Sequence, residues 1–324
     1  MPMALAQCSN SNDPMTALTR LISVIEAIGR RSAYLSLLSE NPLALSQLIT
    51  LITASRGINN WIGQHPVILD ELLDPISSYK VESKEEIGIE LAHKLSVANP
   101  DDLEVVMDLL REFRQGHTLR LAAADIAKIV SQTDVSNVLS DLAECILAQS
   151  LAASETSRQF EPDLVGQNKI GVVAYGKLGS RELGYNSDLD LIFLFEPAIG
   201  LDETVLYRHY SRLLQRLIHI LTTRTRAGQL YPIDMRLRPD GRSGIAINSM
   251  EGFSSYQLHK AHPWEHQALV RARVIIGSES LKKNFNKVRR QVLRLPRNKT
   301  LLRQSVVKMR ERIIQVNCRS TDTE

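Results

Sequence analysis

Cysteine is scarce in this chain of 324 residues, and its three cysteines, Cys8, Cys145 and Cys318, lie far apart. This spacing offers neither a disulfide framework nor a zinc motif, so we expect free thiols in a reducing, cytoplasmic compartment. No apolar run approaches the ~20 residues that cross a bilayer. The N-terminus also lacks the charged segment and apolar core of a secretory signal. The sequence therefore predicts no membrane association.

Aromatic residues are also few, at 5% of the sequence. Proteins that bind single-stranded nucleic acid usually combine a basic groove with aromatic side chains on which bases stack. Between residues 271 and 312, where basic residues are dense, the only aromatic residue is Phe285. This shortage argues against nucleic acid as a partner.

Charge is distributed unevenly along the chain. Residues 1–160 contain 12 basic and 20 acidic residues, whereas residues 161–324 contain 27 basic and 16 acidic ones. The overall charge of +3 therefore hides an acidic first half and a basic second half. A basic surface attracts phosphate-rich ligands, so the second half is where such a ligand is expected.

The first half has the apolar spacing of helices. Asn41 followed by Pro42 predicts a helix start, and the residues expected to face inward after it are Leu45, Leu48, Ile49 and Ile52. Residues 1–15 are polar and are expected to fray. The pattern predicts an all-helical domain over residues 1–160, with a linker at 161–168.

The histidines of this half, His65, His93 and His117, have no partners nearby in the sequence. We interpret them as ordinary surface or core residues and not as metal ligands. The helical half therefore shows no catalytic group of its own.

Two carboxylates stand at the start of a very apolar strand in the second half. A β-branched run at 170–175 predicts one strand, and Asp188 and Asp190 begin a second one. Alternate residues of a strand point to the same face, so these two carboxylates should be neighbours. Their repulsion is normally relieved by a divalent cation with oxygen ligands, most often Mg²⁺. Gly179 and Ser180, in the intervening turn, would offer backbone N–H groups and a hydroxyl to a phosphate.

A third carboxylate is predicted from residues 231–239. Here Asp234, Arg236 and Arg238 alternate with apolar residues, a period of two that indicates a half-buried strand. An acid and two arginines on one face suit a metal ion and the phosphate oxygens beside it. The helix before this segment, over 202–226, is expected to end with Gly228 as its cap.

The remaining segments predict a mostly helical end. Ser249 is expected to cap a helix that reaches Lys260. Further helices are predicted at 264–271, 279–295 and 300–316, with a short strand at 273–276.

Two other kinds of site fit the sequence poorly. Residues 171–177 have the spacing of a P-loop, but Leu178 replaces the required Ser or Thr, and the intervening residues are strand formers. His259, His262 and His266 lie close together, but no cysteine or fourth ligand stands near them to complete a zinc site.

The motifs resemble a known family. Gly179-Ser180, then Asp188-x-Asp190, then a lone Asp on a later strand is similar to the polymerase-β-like nucleotidyltransferases. Four ordered stretches resemble glutamine synthetase adenylyltransferases: AYGKLG at 174–179, NSDLDLIF at 186–193, DMRLRP at 234–239 and WEHQALVRAR at 264–273. The resemblance extends from about residue 65 to about residue 312.

The resemblance implies an α+β architecture. The expected parts are the helical and regulatory domain over 1–160, a nucleotidyltransferase domain with a small mixed sheet over 161–278, and a C-terminal helical region over 279–324. The family continues with further helices beyond the point equivalent to residue 312, so we expect this chain to be truncated, with the apolar stripe of its last helix partly uncovered.

The resemblance also implies a reaction. AMP would move from ATP to a tyrosine hydroxyl of glutamine synthetase, with two Mg²⁺ ions held by Asp188, Asp190 and Asp234 as catalytic carboxylates. Asp234 would also help to deprotonate the hydroxyl. The expected nucleotide-binding residues are Lys177, Gly179, Ser180, Arg236 and Arg238. A PII-type signalling protein is a further expected partner, in the control of nitrogen assimilation.

Alternatives stay open at this point. Family members carry one domain that attaches AMP and one that removes it by phosphorolysis, and the stretch at 264–267 favours the attaching copy. The other candidates are the removing copy, a non-catalytic fragment that only binds glutamine synthetase or a signalling protein, and a nucleotidyltransferase acting on nucleic acid. The sequence assigns no role to Trp264 or Glu265.

Overall fold

A computed structural model describes residues 2–29, 31–73, 79–155, 170–197, 202–241, 244–297 and 299–321. By its internal contacts the chain divides into two units. Unit 1 comprises residues 1–149 together with the short segment 223–230, and unit 2 comprises residues 150–222 and 231–324.

The predicted linker at 161–168 lies outside the described residues. The three-domain division at 160 and 278 therefore stays a prediction.

Unit 1 consists of helices, as the apolar spacing predicted. They are α1 (Pro2–Ser9), α2 (Pro14–Ile28), α3 (Ser32–Glu40), α4 (Pro42–Ala54), α5 (Arg56–Gln64), a 3-10 helix (Pro66–Leu72), α6 (Lys84–Leu95), α7 (Leu103–Ile126) and most of α8 (Gln132–Glu155).

Polar caps define where these helices begin. The side chain of Asn41 accepts hydrogen bonds from the amides of Leu43 and Ala44, at 3.1 Å each, and Pro42 follows it in the first turn. This satisfies amides that have no partner inside a helix. The predicted start of α4 is confirmed, and its four predicted inward residues, Leu45, Leu48, Ile49 and Ile52, are all buried.

The N-terminus differs from its prediction. Residues 2–9 form α1 and are not frayed, and Cys8 is only 3% exposed within the apolar core of unit 1. Met3 and Ala4 pack against the same core. The sparse apolar residues of a polar segment are enough here because they all contact one surface.

Two of the three cysteines are visible in the described residues. Cys8 and Cys145 are free and buried, as expected. The side chain of Cys318 lies outside the described part of the chain.

Within the described ranges, no single helix is both long and apolar enough to cross a membrane. Helices α3 and α4, bent by 104° at the break between them, would together be long and apolar enough by length and composition alone.

Unit 2 contains the small mixed sheet. Its strands are β1 (Ile170–Ala174), β2 (Leu189–Phe195), β3 (Ile233–Asp234), β4 (Ile247–Ser249) and β5 (Arg273–Ile276). The order is β3-β2-β1-β5; β1 runs antiparallel to β2 and to β5. Strand β3 pairs in parallel with the first residues of β2, and β4 pairs in parallel with its last residues. The predicted α+β fold with a mixed sheet is confirmed.

The helices of unit 2 follow the chain order that the sequence predicted, with the addition of one short helix at residues 176–179. They are α9 (Gly176–Gly179), α10 (Glu203–Thr222), α11 (Met250–His259), α12 (Pro263–Ala268) followed by a 3-10 helix (Leu269–Arg271), α13 (Glu279–Leu293) and α14 (Lys299–Thr321). Ser249 caps α11 by accepting a hydrogen bond from the Gly252 amide, at 3.1 Å, as predicted.

The apolar core of unit 2 includes α13. Its predicted inward residues, Leu281, Phe285, Val288 and Val292, are buried, and the Phe285 ring stacks on Phe253 of α11 at 5.7 Å between centroids. Within the described part of the chain, α13 therefore shares its core with the sheet.

Two local predictions were wrong. The strand expected over 231–238 is only two residues long, because the Asp234 carboxylate accepts a hydrogen bond from the Arg236 amide at 2.8 Å. Such a bond from an aspartate to the backbone two residues on forms a turn. Helix α10 ends at Thr222, so Gly228 does not cap it; Gly228 instead closes a hairpin by pairing with Thr225.

Candidate active site

Two of the three predicted carboxylates are direct neighbours in the sheet. Asp190 on β2 and Asp234 on β3 are register partners in the parallel pair, next to the pair formed by Leu189 and Ile233. Paired residues of adjacent strands point to the same face. The leucine and isoleucine therefore face one way and the two aspartates face the other way.

Asp188 stands just before β2 and shares a cleft with Asp234. This cleft has a volume of about 550 Å³, and it is lined by Asp188, Ile218, Thr222, Pro232, Ile233, Asp234, Met235, Arg236 and Arg238. Asp188 is exposed and Asp190 is half-buried. Asp188 thus shares the cleft with Asp234, which is the register partner of Asp190, and both charges act on the Asp190 carboxyl.

The three carboxylates repel one another. Burial, followed by the negative charges of Asp188 and Asp234, raises the pKa of Asp190 above its ordinary value, although Arg236 and Lys177 oppose the shift. A group that is costly to ionise among like charges gains most from a bound cation. This is the electrostatic setting that a divalent metal ion would relieve.

Gly176 provides the space for the Asp190 carboxylate. It follows β1 with a positive φ of 53°, and a Cβ built on it would collide with Oδ2 of Asp190. The amide of the preceding residue, Tyr175, donates to the backbone oxygen of Asp190 at 2.9 Å. The open space and the all-oxygen donors fit a hard cation such as Mg²⁺.

The turn after β1 differs from its prediction. Residues 176–179 form a helical turn, in which the amides of Gly179 and Ser180 donate to the oxygens of Tyr175 and Gly176. The Ser180 hydroxyl donates to the Gly176 oxygen at 3.0 Å. These amides are already bonded within the turn, and phosphate binding by Gly179 and Ser180 stays a prediction.

Gly179 has a packing reason instead. A Cβ there would collide with the backbone oxygen of Arg271. Arg273 donates to the oxygens of Leu178 and Gly179, at 3.1 and 3.3 Å. The end of the stretch at 264–273 thus packs against the turn and hydrogen-bonds to it.

Lys177 reaches toward the carboxylates. Its ammonium lies 3.5 Å from the Ser187 hydroxyl and is one of the charges that lower the pKa of Asp190. Lys177 therefore places a positive charge near Asp190.

The two arginines after β3 have different surroundings. Arg236 donates from Nε to Oδ2 of Asp234 at 2.6 Å, pairs with the same oxygen through its terminal nitrogen, and remains 64% exposed. Arg238 donates instead to the backbone oxygens of Met235 and Gly244, at 2.9 and 3.2 Å. Arg236 therefore faces the carboxylates, while Arg238 holds the turn that forms part of the cleft wall.

Glu265 has a structural role that the sequence left open. It is 5% exposed and accepts hydrogen bonds from the Tyr256 hydroxyl at 2.9 Å and from the His262 amide at 3.0 Å. Burial raises the pKa of Tyr256 to about 12, which keeps this hydroxyl protonated and donating. Glu265 thereby joins the start of α12 to α11, away from the carboxylates.

Sequence reasoning missed one polar cluster in unit 1. The buried ring of His117 lies between two carboxylates, with Nδ1 3.0 Å from Glu82 and Nε2 3.3 Å from Glu90. Their ligand atoms are close enough to hold a metal ion, but a nitrogen of Arg120 already lies 3.1 Å from the ring. Because both ring nitrogens face acids and a guanidinium occupies the same space, the geometry favours an ion-paired imidazolium.

The histidine pKa follows from the same contacts. Burial, the largest single influence, lowers the pKa of His117, but hydrogen bonds to Glu82 and Glu90 outweigh it and leave the pKa above its ordinary value. The two glutamates lie far from His117 in the sequence, so spacing could not reveal this cluster.

The described structure therefore has the helical region and the small mixed sheet that the resemblance to polymerase-β-like nucleotidyltransferases implied, with an acidic cleft at the predicted place. A family model described as glutamate-ammonia ligase adenylyltransferase matches residues 45–288. The chain belongs to this family.

Relatives of known name support the same assignment. Proteins named bifunctional glutamine synthetase adenylyltransferase/adenylyl-removing enzyme, from Thioalkalivibrio sulfidiphilus and Pseudomonas syringae pv. tomato, are each 42% identical to it over 97% of this chain. A protein of the same name from Nitrosococcus oceani is 41% identical. The chain spans about a third of the length of these relatives, 34% and 33% for the first two.

Proposed function

We propose that this chain carries the AMP-attaching activity of its family, with ATP as the donor and a tyrosine hydroxyl of glutamine synthetase as the acceptor. The observation that carries the proposal is the pairing of Asp190 with Asp234 on adjacent strands, next to a cleft that Asp188 and Asp234 both line. The relatives' names supply the substrate, and the geometry supplies a site suited to a metal-bound triphosphate.

Asp188, Asp190 and Asp234 are the residues that would hold Mg²⁺ in this proposal. When bound, the metal would supply charge neutralisation for the triphosphate and polarisation of the α-phosphate. Burial and the neighbouring acidic charges raise the pKa of Asp190, so its ionised form would gain from that compensation.

Arg236 would stabilise negative charge that develops during transfer. Its guanidinium is largely exposed and is hydrogen-bonded to Asp234, which also lines the cleft. It could therefore contact phosphate oxygens while it keeps its bond to Asp234. Lys177, in the turn between β1 and β2, would add a second positive charge near Asp190. Asp234 accepts bonds from Arg236 at both oxygens, so it would position Arg236 as well as help to hold the metal, and its remaining lone pairs could help to deprotonate the hydroxyl.

The acceptor and the cellular setting complete the proposal. We place the reaction in the cytoplasm, where ATP and glutamine synthetase are available and buried free thiols persist. A PII-type protein remains a proposed partner through unit 1. Removal of AMP by phosphorolysis is the second candidate, because the relatives' names include an adenylyl-removing activity.

Labelled ATP tests the proposal and separates its two directions. The chain is incubated with Mg²⁺, ATP labelled at the α-phosphate and unmodified glutamine synthetase; label on glutamine synthetase is the expected result. The Asp190→Asn variant should lose about 10²-fold or more of this rate, because it removes a metal-binding charge. Asp240→Asn, at an exposed aspartate that does not line the cleft, is the matched control.

Release of ADP from adenylylated glutamine synthetase and orthophosphate, without any labelling in the forward direction, would favour the removing reaction. Neither product, with a folded protein, would contradict the enzymatic proposal.

A further inference from the structure

Helix α7 contains a buried arginine whose guanidinium bonds to backbone oxygens. Arg111 is 1% exposed, and its guanidinium donates to three backbone oxygens: Gly228 at 2.7 Å, Thr223 at 2.5 Å and Met107 at 2.6 Å. A buried guanidinium is costly unless its N–H groups are bonded. Two of these three oxygens belong to the segment 223–230, which we call the α10–β3 hairpin.

A second side chain of α7 contacts the same hairpin one turn later. Gln115 is 5% exposed and donates to the Ala227 oxygen at 2.6 Å. The hairpin itself is closed by reciprocal amide bonds between Thr225 and Gly228, at 3.0 Å each. Gly228 has a φ of 93°, and a Cβ there would come within 3.1 Å of the His65 ring. Both arms of the hairpin are thus fixed within unit 1.

The chain on either side of the hairpin belongs to unit 2 and forms the acidic cleft. Thr222 precedes the hairpin and Pro232 follows it, and both line the cleft. The base is closed by a bond from the Tyr231 amide to the Leu221 oxygen, at 3.0 Å. The Pro232 oxygen then accepts from the Leu189 amide, also at 3.0 Å. The next residues of the chain enter β3, where Asp234 pairs with Asp190.

We propose that Arg111 and Gln115 are positioning residues for the acidic cleft, acting through the α10–β3 hairpin. By fixing the hairpin they limit how far the span between α10 and β3 can shift, and so they hold Asp234 in register with Asp190. The consequence for AMP transfer rests on the proposed function; the positioning itself does not.

Hydrogen exchange tests the positioning without any assay of activity. In the full chain, Arg111→Met should make the amides of Tyr231 and Leu189 exchange about tenfold faster, because a charged donor's bonds to the hairpin are lost. Arg20→Met is the matched control: Arg20 also donates to helix-end oxygens in unit 1, those of Ile52 and Thr53, but it does not touch the hairpin.

Faster exchange in Arg111→Met alone supports the proposal. Unchanged exchange at these two amides, or an equal rise in the Arg20→Met control, overturns it.

A milder variant keeps the test valid if Arg111→Met folds poorly. Gln115→Leu removes one bond to the hairpin at nearly constant volume, and the same two amides should exchange severalfold faster. Exchange equal to wild type in this variant would contradict the positioning role of Gln115.

Kinetics then distinguish positioning from general destabilisation. If the chain transfers AMP, Gln115→Leu should raise the apparent KM for Mg²⁺ severalfold and leave kcat at saturating Mg²⁺ near wild type, because excess metal restores the carboxylate register. An equal loss of kcat at all Mg²⁺ concentrations would overturn the link to the site. If the wild-type chain transfers no AMP, the proposed function fails, and the exchange comparison still decides the positioning.

Discussion

Replacing Gly176 by alanine should damage the acidic cleft in a way that can be separated from backbone strain. Two effects act at this position. Its φ is +53°, a conformation that costs an alanine about 1–2 kcal/mol. The new methyl group would also collide with Oδ2 of Asp190, which forces the carboxylate off its rotamer at a further cost of about 0.5–1.5 kcal/mol.

Gly241→Ala is the control for the first effect. Gly241 has nearly the same φ, +56°, but among the described residues the nearest atom to a Cβ there is the Arg236 oxygen, at 3.7 Å. The control should therefore lose about 1–2 kcal/mol from backbone strain alone. Gly176→Ala should lose about 1.5–3.5 kcal/mol in all.

Urea unfolding and Mn²⁺ binding measure the two consequences. The free energy of unfolding should fall in both variants, and further in Gly176→Ala. Mn²⁺ affinity should fall about tenfold or more only in Gly176→Ala, because only that variant displaces a ligand. Equal losses of stability in the two variants, together with wild-type Mn²⁺ binding by Gly176→Ala, would refute the role assigned to Gly176.

Three further outcomes are expected. Without metal at neutral pH, Asp190→Asn should raise the free energy of urea unfolding, because the folded state raises the pKa of this carboxyl and its charge is repelled by its neighbours; a loss of stability would contradict this. Because the folded state raises the pKa of His117, the stabilisation from its bonds to Glu82 and Glu90 is complete below about pH 6.5 and is lost as the pH rises through the folded pKa. The free energy of unfolding should therefore be lower at about pH 8 than at about pH 6, and His117→Gln should abolish this difference. The same pH dependence in the variant would exclude His117 as its cause. By hydrogen exchange, α14 should exchange faster than β1 in a dilute monomer, since valines in its predicted apolar stripe are 47% exposed; strong protection of α14 would contradict its loose attachment.

The parts of the fold that depend on local periodicity were predictable from the sequence. The two-residue period at the start of β2 placed Asp188 and Asp190 correctly at its edge, and the lone Asp234 was correctly assigned to a neighbouring strand. Helical spacing likewise identified the inward face of α13. In each case one short stretch of sequence contains the whole signal.

The errors come from side chains that bond to nearby backbone. Asp234 bends the chain by accepting the Arg236 amide, so the alternation that placed Arg238 on the same face does not continue. The positive φ of Gly176 begins a helical turn whose own bonds occupy the amides of Gly179 and Ser180. A periodic pattern of apolar residues does not show where a local hydrogen bond to the backbone replaces regular secondary structure.

The contacts that sequence reasoning missed join distant residues. Arg111 meets Gly228, and His117 meets Glu82 and Glu90, only after the helices of unit 1 have packed. Neither contact is implied by spacing, because each depends on the tertiary fold. Both involve buried charges, which a single sequence marks only as ordinary polar residues.

If Asp188, Asp190 and Asp234 hold a divalent metal ion, a Mn²⁺ titration followed by electron paramagnetic resonance will detect it. Wild-type protein should remove the free Mn²⁺ signal, more strongly when ATP is present, and Asp190→Asn should lose this binding while Asp240→Asn retains it. Equal Mn²⁺ binding by the wild type and Asp190→Asn, or none by a folded wild-type chain with ATP, would contradict the proposed metal site.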